Sequence, residues 1–515
     1  MVSRRYFIAA SGAASGAALW LPAAVRAQSQ KYHFTLGVAS GSPRPNSVVL
    51  WTRLAPEPLK GGGMPAGATD VRYRICSDDA MRKNVQQGVI TTSEAKAHSV
   101  HVTARGLEPG REYWYQFYYG QDESPVGRTR TTDPKRATAK LALASCSSYE
   151  AGHFAAYRDI AEWQPDGVIH VGDYIYEGGA NPLGPRTVKL GADSVTVDVV
   201  RQHDGGEIIS LWQYRNRHAL YKSDPHLQAA HAAAPWIVAM DDHEIDNNWA
   251  ADIPEDPWGQ TPLEFKVRKA AALQAYYEHM PLEQPPSFSG VDSHLQMYGQ
   301  YRFGPAEVYL LDTRQYRSDQ VCGQGFPGDA SCNALNDPTL TMTGRAQEQW
   351  LLSALKTSGA AHNVIASQTW FAPYRYNAAP ENPAVNMDQW DGYPIQRQRI
   401  VDALADGVKS PVVLGGDWHC ASALRIHQEP WNPNSRRVGH NFNGTSISSP
   451  CAWWKPLDAA QSHNPHVDYA NGAQRGYLRC EVTAANFAAQ YRIVADVRDA
   501  NAALSTDKEL RTRDL

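Results

Sequence analysis

Residues Gly167 to Glu177 read GVIHVGDYIYE. A β-favouring run ends in Gly172-Asp173, and Tyr176 follows the aspartate by three residues. A strand that stops at Gly-Asp is either turning or delivering a carboxylate to whatever lies at its end. Similar endings recur along the chain. KLALASC ends at Cys146, and PWIVAMDD ends at Asp241 and Asp242 with His243 next. AEVYLLDTR ends at Asp312 and Arg314, HNVIASQ at Gln368, and PVVLGGDWH at Asp417 and His419. Between these runs lie helical patterns, such as HFAAYRDIAEWQPD, where Phe154, Tyr157, Ile160 and Trp163 suit one helix face. Strands alternating with helices predict a layered α/β domain. Ligands of open α/β sheets bind beyond the carboxyl ends of the strands. The polar strand ends are therefore expected to converge.

Upstream the pattern is all strand and turn. SVVLWTRL, VRYRIC, HSVHVTA and EYWYQFYY are short β-branched and aromatic runs separated by Gly, Pro and Asp. In GLEPGREYWYQF a tyrosine follows a Pro-Gly turn, resembling the tyrosine corner of immunoglobulin-like sandwiches. The expected organisation is multidomain. An all-β immunoglobulin- or fibronectin-like sandwich spans residues 32–133, an α/β catalytic domain 139–495, and a tail 496–515. The Gly- and Pro-rich stretch from about 178 to 204 reads as an inserted loop.

The first 27 residues carry Arg4 and Arg5 before a weakly apolar Ala/Gly/Ser-rich stretch, ending in the small-residue pattern Val25-Arg26-Ala27. This is an export signal rather than a membrane span, and SRRYFI resembles a twin-arginine signal. The expectation is a protein that uses the twin-arginine export machinery and ends in the periplasm or outside the cell. No later run reaches the roughly 20 apolar residues a membrane span needs. A net charge of −4 gives no electrostatic case for nucleic acid. Seven cysteines in an exported chain permit disulfides, with Cys322 and Cys332 the best candidate pair.

Taken together, the strand ends offer a thiol, carboxylates, imidazoles and a phenol. Thiolate, phenolate and imidazole suit a transition metal, whereas carboxylates and amides suit a hard cation. A mixed site bridged by Asp173 is a natural reading. Two such cations polarise a phosphoryl oxygen and clamp the attacking and leaving groups. Nucleotide-fold, P-loop and zincin motifs are absent from the sequence.

GDYIY resembles the GDxxY block of purple acid phosphatase-like metallophosphoesterases. DDHE and GDWH stand where that superfamily has Gly-Asn-His-Asp/Glu and Gly-His-x-His. The whole chain resembles the PhoD-like alkaline phosphatases more closely, through ASC, PDGVIHVGDYIYE, DDHEIDNNW, LDTRQYR, MDQWDGY, GTSISS and NPHVDYANGAQRGY in that order. The resemblance implies Fe³⁺ held by Cys146, Asp173, Tyr176 and His419. It implies Ca²⁺ held with Asp242, Asp417 and Asn247, Asp173 bridging. It places His243 beside the scissile phosphate and allows Arg314 to grip it or merely to hold its loop. Asp312, Gln368, His440, Asn443 and His466 are further candidates. The activity implied is exported alkaline phosphatase action on phosphomonoesters, with phosphodiesters also accepted, by hydroxide generated at the metals. The substrate is a small or polymeric phosphate ester. The alternatives are a dedicated phosphodiesterase of phospholipase D type and a non-catalytic exported binding protein.

Overall fold

The computed structural model describes residues 31–190, 193–323, 327–379 and 381–514, so the expected signal and its expected cleavage site lie outside the described residues. The strand Gly167–His170 pairs in parallel with Thr138–Ala144 on one side and Pro235–Val238 on the other. All four of its residues are buried, as expected of a parallel strand covered on both faces. These three strands are the centre of a nine-stranded sheet. A second sheet of seven strands has Ala306–Leu310, His362–Ala366, Pro411–Gly415 and Arg437–Asn443 running parallel.

The period of two in these strands explains how the sheets pack. Val308, Leu310, Val364, Ala366, Val412 and Leu414 share one buried cluster with Leu141, Leu143, Val168 and Ile169 of the first sheet. The alternate residues Tyr309, Ile365 and Val413 point the other way. They join Leu351 and Leu355 of helix Gly344–Thr357 and Ile400 and Leu404 of helix Pro394–Ala405. The predicted face Tyr157 and Ile160 is buried on helix Ala155–Trp163. Helix Pro262–His279 starts where Thr261 and Glu264 form a capping box with Pro at the first turn.

Three segments add to the expectations. First, the region 33–133 packs with the rest of the chain as one compact unit. Its strands Val38–Arg44, Ser47–Arg53 and Ser99–Arg105 extend the nine-stranded sheet, through the parallel pair Ser40↔Pro235. A five-stranded sheet built on Thr69–Cys76 and Glu112–Tyr119 shares a core with them, including Val48, Leu50, Ile75, Val102, Tyr115 and Phe117. Tyr113 Oη accepts the Glu108 N–H at 2.9 Å. Second, the stretch read as an inserted loop contains the antiparallel hairpin Gly184–Leu190 with Asp193–Val199. The alternation of Val195 and Val197 with polar residues fits a half-covered hairpin, and the flanking Gly and Pro obscured it. Third, the segment read as a tail carries the edge strand Leu504–Arg511, paired with Asn486–Val494. Its burial is slight and its composition charged, which suits an edge and hides the strand from a hydrophobic pattern.

Among the described residues no helix is long and apolar enough to cross a membrane. Cys322 and Cys332 form a disulfide, while Cys76, Cys146, Cys420, Cys451 and Cys480 are buried free thiols.

Candidate metal centre

The carboxyl ends of the parallel strands of both sheets meet. Three groups of side chains each bring one potential ligand atom per residue within 4.8 Å of one another: Cys146 with Asp173 and His419; Asp173 with Asp242 and His243; Asp241 with Asp242 and Asp417. Asp173 belongs to the first two groups and Asp242 to the last two, so the three form a chain.

Local backbone geometry makes this convergence possible. Gly172 has φ +107°, and a Cβ there would lie 2.4 Å from the Asp241 backbone nitrogen, so the opening motif needs its glycine for two strand ends to touch. Cys146, Asp173, Asp417 and His419 have φ of 59°, 55°, 60° and 51°, the left-handed region that non-glycine residues rarely occupy. Strained backbone of this kind collects where a side chain must be aimed. Glu244, the last residue of DDHE, accepts N–H bonds from Asp173 (3.1 Å), Tyr174 (2.7 Å) and Asp241 (2.9 Å). It fixes two of the turns without joining a group itself.

Tyr176 answers the spacing in GDYIY. Its Oη lies 2.9 Å from Asp173 Oδ2, 3.2 Å from His419 Nε2 and 2.7 Å from Ser449 Oγ. His419 donates from Nδ1 to the Pro450 carbonyl at 2.9 Å, which leaves Nε2 as the lone-pair nitrogen facing the phenol. Burial, then the charge of Arg475, pushes its pKa down to about 3, so the imidazole is neutral. Trp453 stacks on the ring at 5.3 Å.

His243 is the opposite case. Its Nδ1 sits 2.7 Å from Glu177 Oε2. Burial opposes its charge, but Glu177, Asp242 and Asp173 outweigh burial and hold the imidazolium well above the usual value. Glu177 is itself buried, and its other oxygen accepts the Asn247 N–H at 3.0 Å. Asn247 also contacts Glu255 through its amide nitrogen.

Arg314 is 1% exposed. Its Nε donates to Asp241 Oδ1 at 2.6 Å, and its two terminal nitrogens meet both oxygens of Asp388 at 3.0 and 2.7 Å. The guanidinium fork is directed at aspartates inside the protein, and its position is that of an internal clamp rather than a phosphate grip. Asp312 accepts the backbone N–H of Arg314 and does not pair with its side chain. Gln368 bonds Thr313 and the Leu311 carbonyl. His466 meets the Pro373 carbonyl, and Asn443 bonds Ser422 and Asn441. His440 lies mid-strand, paired with Val412, so it is not at a strand end. Asp312, His440 and His466 enter none of the three groups.

The donor set fits cations. Asp173 Oδ1 and Asp241 Oδ2 are buried without a hydrogen-bond partner. Burial first, then neighbouring negative charge, drives Cys146, Asp173, Tyr176 and Asp417 well above their ordinary pKa values. Buried groups this costly to ionise, packed against one another, are stabilised by a bound positive ion, which reverses each of those shifts.

Several participants were quoted in the motifs without a role: Asp241, Glu177, Asp388, Ser449, and Gln389, whose side-chain nitrogen contacts Asp417. Their polar character inside otherwise apolar or turn-forming blocks was the available signal.

A thiol, a phenol, imidazoles and carboxylates gathered at the ends of packed parallel strands form a candidate metal site, and the class of the protein, a hydrolase of phosphoric esters, follows from its relatives. The sequence profile of the PhoD-like phosphatase family matches residues 141–491, and that of the family's N-terminal domain matches residues 20–133. Alkaline phosphatase D of Bacillus subtilis is 42% identical over 522 residues, covering 98% of this chain and 86% of its own. A solved structure of PhoD superposes with a TM-score of 0.85 at 42% identity, covering 94% of this chain and 90% of that one. The chain belongs to the PhoD-like phosphatase family.

Proposed function

We propose that this phosphatase is an exported, metal-dependent alkaline phosphatase acting on phosphomonoesters and, with the same groups, on phosphodiesters. Cys146, Tyr176, His419 and Asp173 would hold Fe³⁺. Asp242, Asp417 and Asp241 would hold Ca²⁺, with Asp173 shared and Asn247 beside them. The membership of Asp173 in two ligand groups carries this reading. Bound there, the cations would supply Lewis acidity toward a phosphoryl oxygen and toward water.

The protein's own groups do the rest. Glu177 orients and charges His243, leaving Nε2 to donate to a phosphoryl oxygen or to the departing alkoxide. Arg314 holds Asp241 in place against Asp242. Desolvation at these buried residues strengthens every charge interaction with substrate.

Monoesters are the first choice of substrate. This choice follows the relation to alkaline phosphatase D of Bacillus subtilis; a cavity of about 560 Å³ lined by Ser448, Pro450 and Cys451, by hairpin residues Ser194–Asp198 and by Val494–Arg498 includes none of the candidate ligands. Arg498 pairs with Asp198 at 3.2 Å, tying the two walls together on that side. The N-terminal region is read as an immunoglobulin- or fibronectin-like sandwich fused to a layered α/β metallophosphoesterase. The twin-arginine route and a periplasmic or secreted destination rest on the first 27 residues.

The test is the natively exported protein assayed on p-nitrophenyl phosphate and bis-p-nitrophenyl phosphate, with elemental analysis of the same sample and Cys146→Ala alongside. Iron with calcium, turnover of the monoester above the diester, and loss of both iron and turnover in Cys146→Ala are expected. Turnover without any bound metal would overturn the metal centre. A diester preference would favour the phosphodiesterase reading.

A further inference from the structure

Arg475 is 6% exposed. Its guanidinium hydrogen-bonds uncharged groups: the His419 carbonyl (2.9 Å), Ser446 Oγ (3.2 Å), the Ser449 carbonyl (2.6 Å) and the Gly472 carbonyl. A buried arginine is ordinarily matched by a carboxylate, and burial accordingly pulls its pKa down. A charge kept under these conditions is retained for what it holds.

What it holds is the loop Ser446–Pro450. That loop touches Cys146, Tyr176 and His419, three of the four residues of the Cys146 half of the centre. The Ser448 and Ser449 N–H groups donate to the Cys146 carbonyl at 3.4 and 3.3 Å. Ile447 N–H donates to the Ser145 carbonyl at 3.0 Å. Ser449 Oγ lies 2.9 Å from the Cys146 carbonyl and 2.7 Å from Tyr176 Oη. The Pro450 carbonyl accepts His419 Nδ1. Arg475 thus grips His419 directly and, through the loop, sets Cys146, Tyr176 and the tautomer of His419. Cys146 and His419 both sit at positive φ, where backbone left to itself relaxes.

We propose that Arg475 is the positioning residue for the Cys146, Tyr176 and His419 side of the centre, acting through the loop Ser446–Pro450 rather than on substrate. This rests on the metal-centre reading for its catalytic meaning, but its geometry can be tested without metal. Nη1 serves the His419 carbonyl, Ser446 Oγ and the Ser449 carbonyl, while Nη2 serves the Gly472 carbonyl, so a lysine ammonium placed at one of these nitrogens would leave the other's partners unserved.

The experiment compares wild type with Arg475→Met and Arg475→Lys. Metal-free full-length protein is treated with iodoacetamide, and alkylation of each cysteine is followed by peptide mass mapping. Cys76, on strand Thr69–Cys76, and Cys480, on the strand Gly476–Thr483 that follows Arg475, are the buried internal references. Arg475→Met is expected to speed alkylation of Cys146 by roughly tenfold or more, while Cys76 and Cys480 change by less than about twofold. Arg475→Lys is expected to fall between. Reloaded Arg475→Met should lose most of its iron and keep its calcium. A uniform rise at all cysteines, or no rise at Cys146 despite a lowered melting temperature, would overturn the proposal and leave Arg475 a general prop of the fold. If Arg475→Met does not accumulate as folded protein, Arg475→Lys and Ser446→Ala are read by the same criteria. Failure of wild type to retain any metal would refute the metal centre by itself, while the alkylation pattern would still decide what Arg475 positions.

Discussion

Replacing Glu177 by glutamine isolates one contact at the heart of the proposed chemistry. The Glu177 Oε2 to His243 Nδ1 distance is 2.7 Å; the carboxylate is buried and the imidazole half-buried. A glutamine side chain would fill the same volume and could still accept from the Asn247 N–H, but it carries no charge. The loss is that of a charge-assisted hydrogen bond, about 1.5–3 kcal/mol. If the bond stabilises the transition state through His243, kcat/KM falls roughly 10- to 150-fold, at about 1.4 kcal/mol per tenfold. KM should change little, because the contact orients an acid rather than binding ground-state substrate. Steady-state kinetics on p-nitrophenyl phosphate, with elemental analysis and a melting curve on the same preparation, measure this. A Glu177→Gln enzyme within about threefold of wild type, with unchanged metal content, would refute the assignment of His243 as the group that Glu177 activates.

Two further outcomes are expected. Arg314→Met leaves Asp241 buried without its paired cation, while Asp388 keeps Arg317 at 3.1 Å, so urea unfolding should show a loss of about 3–5 kcal/mol; an unchanged midpoint would contradict the clamp. Asp159 lies outside the site, and burial pushes its carboxyl up. The hydrogen bonds from Arg492 and Tyr477, together with the charges of Arg479 and Arg492, win and hold it below its ordinary 3.8. Its contribution is therefore complete above pH 3.8 and is lost as pH falls through the lower folded value. The stability gap between wild type and Asp159→Asn should shrink on acidification below that point, and a gap that widens instead would reverse the sign.

Much of this protein was legible along the chain. The period of two in the strands and the helical spacing of Tyr157 and Ile160 are local properties, and they survive in the fold. Asp173, Tyr176, Asp417 and His419 stand at strand ends because a strand delivers its last residues to a definite edge, and that too is written locally. The hairpin at 184–199 and the edge strand Leu504–Arg511 were hidden, since half-exposed strands lack a strong hydrophobic signature. So was the fusion of the N-terminal strands to the central sheet, which depends on the remote pair Ser40↔Pro235.

The roles of Arg314 and Arg475 were decided only in three dimensions. In the sequence Arg314 stands two residues from Asp312, yet its guanidinium turns to Asp241 and Asp388, more than 70 positions away on either side. Arg475 stands in the quoted block NPHVDYANGAQRGY without a role assigned to it, and its four acceptors come from three separate segments. Which residues bear the chemistry is a matter of side-chain type and strand position, and both are read along the chain. Which charges are paired, and which turns are clamped, depends on desolvation and on long-range contacts that exist only once the two sheets have closed over the site.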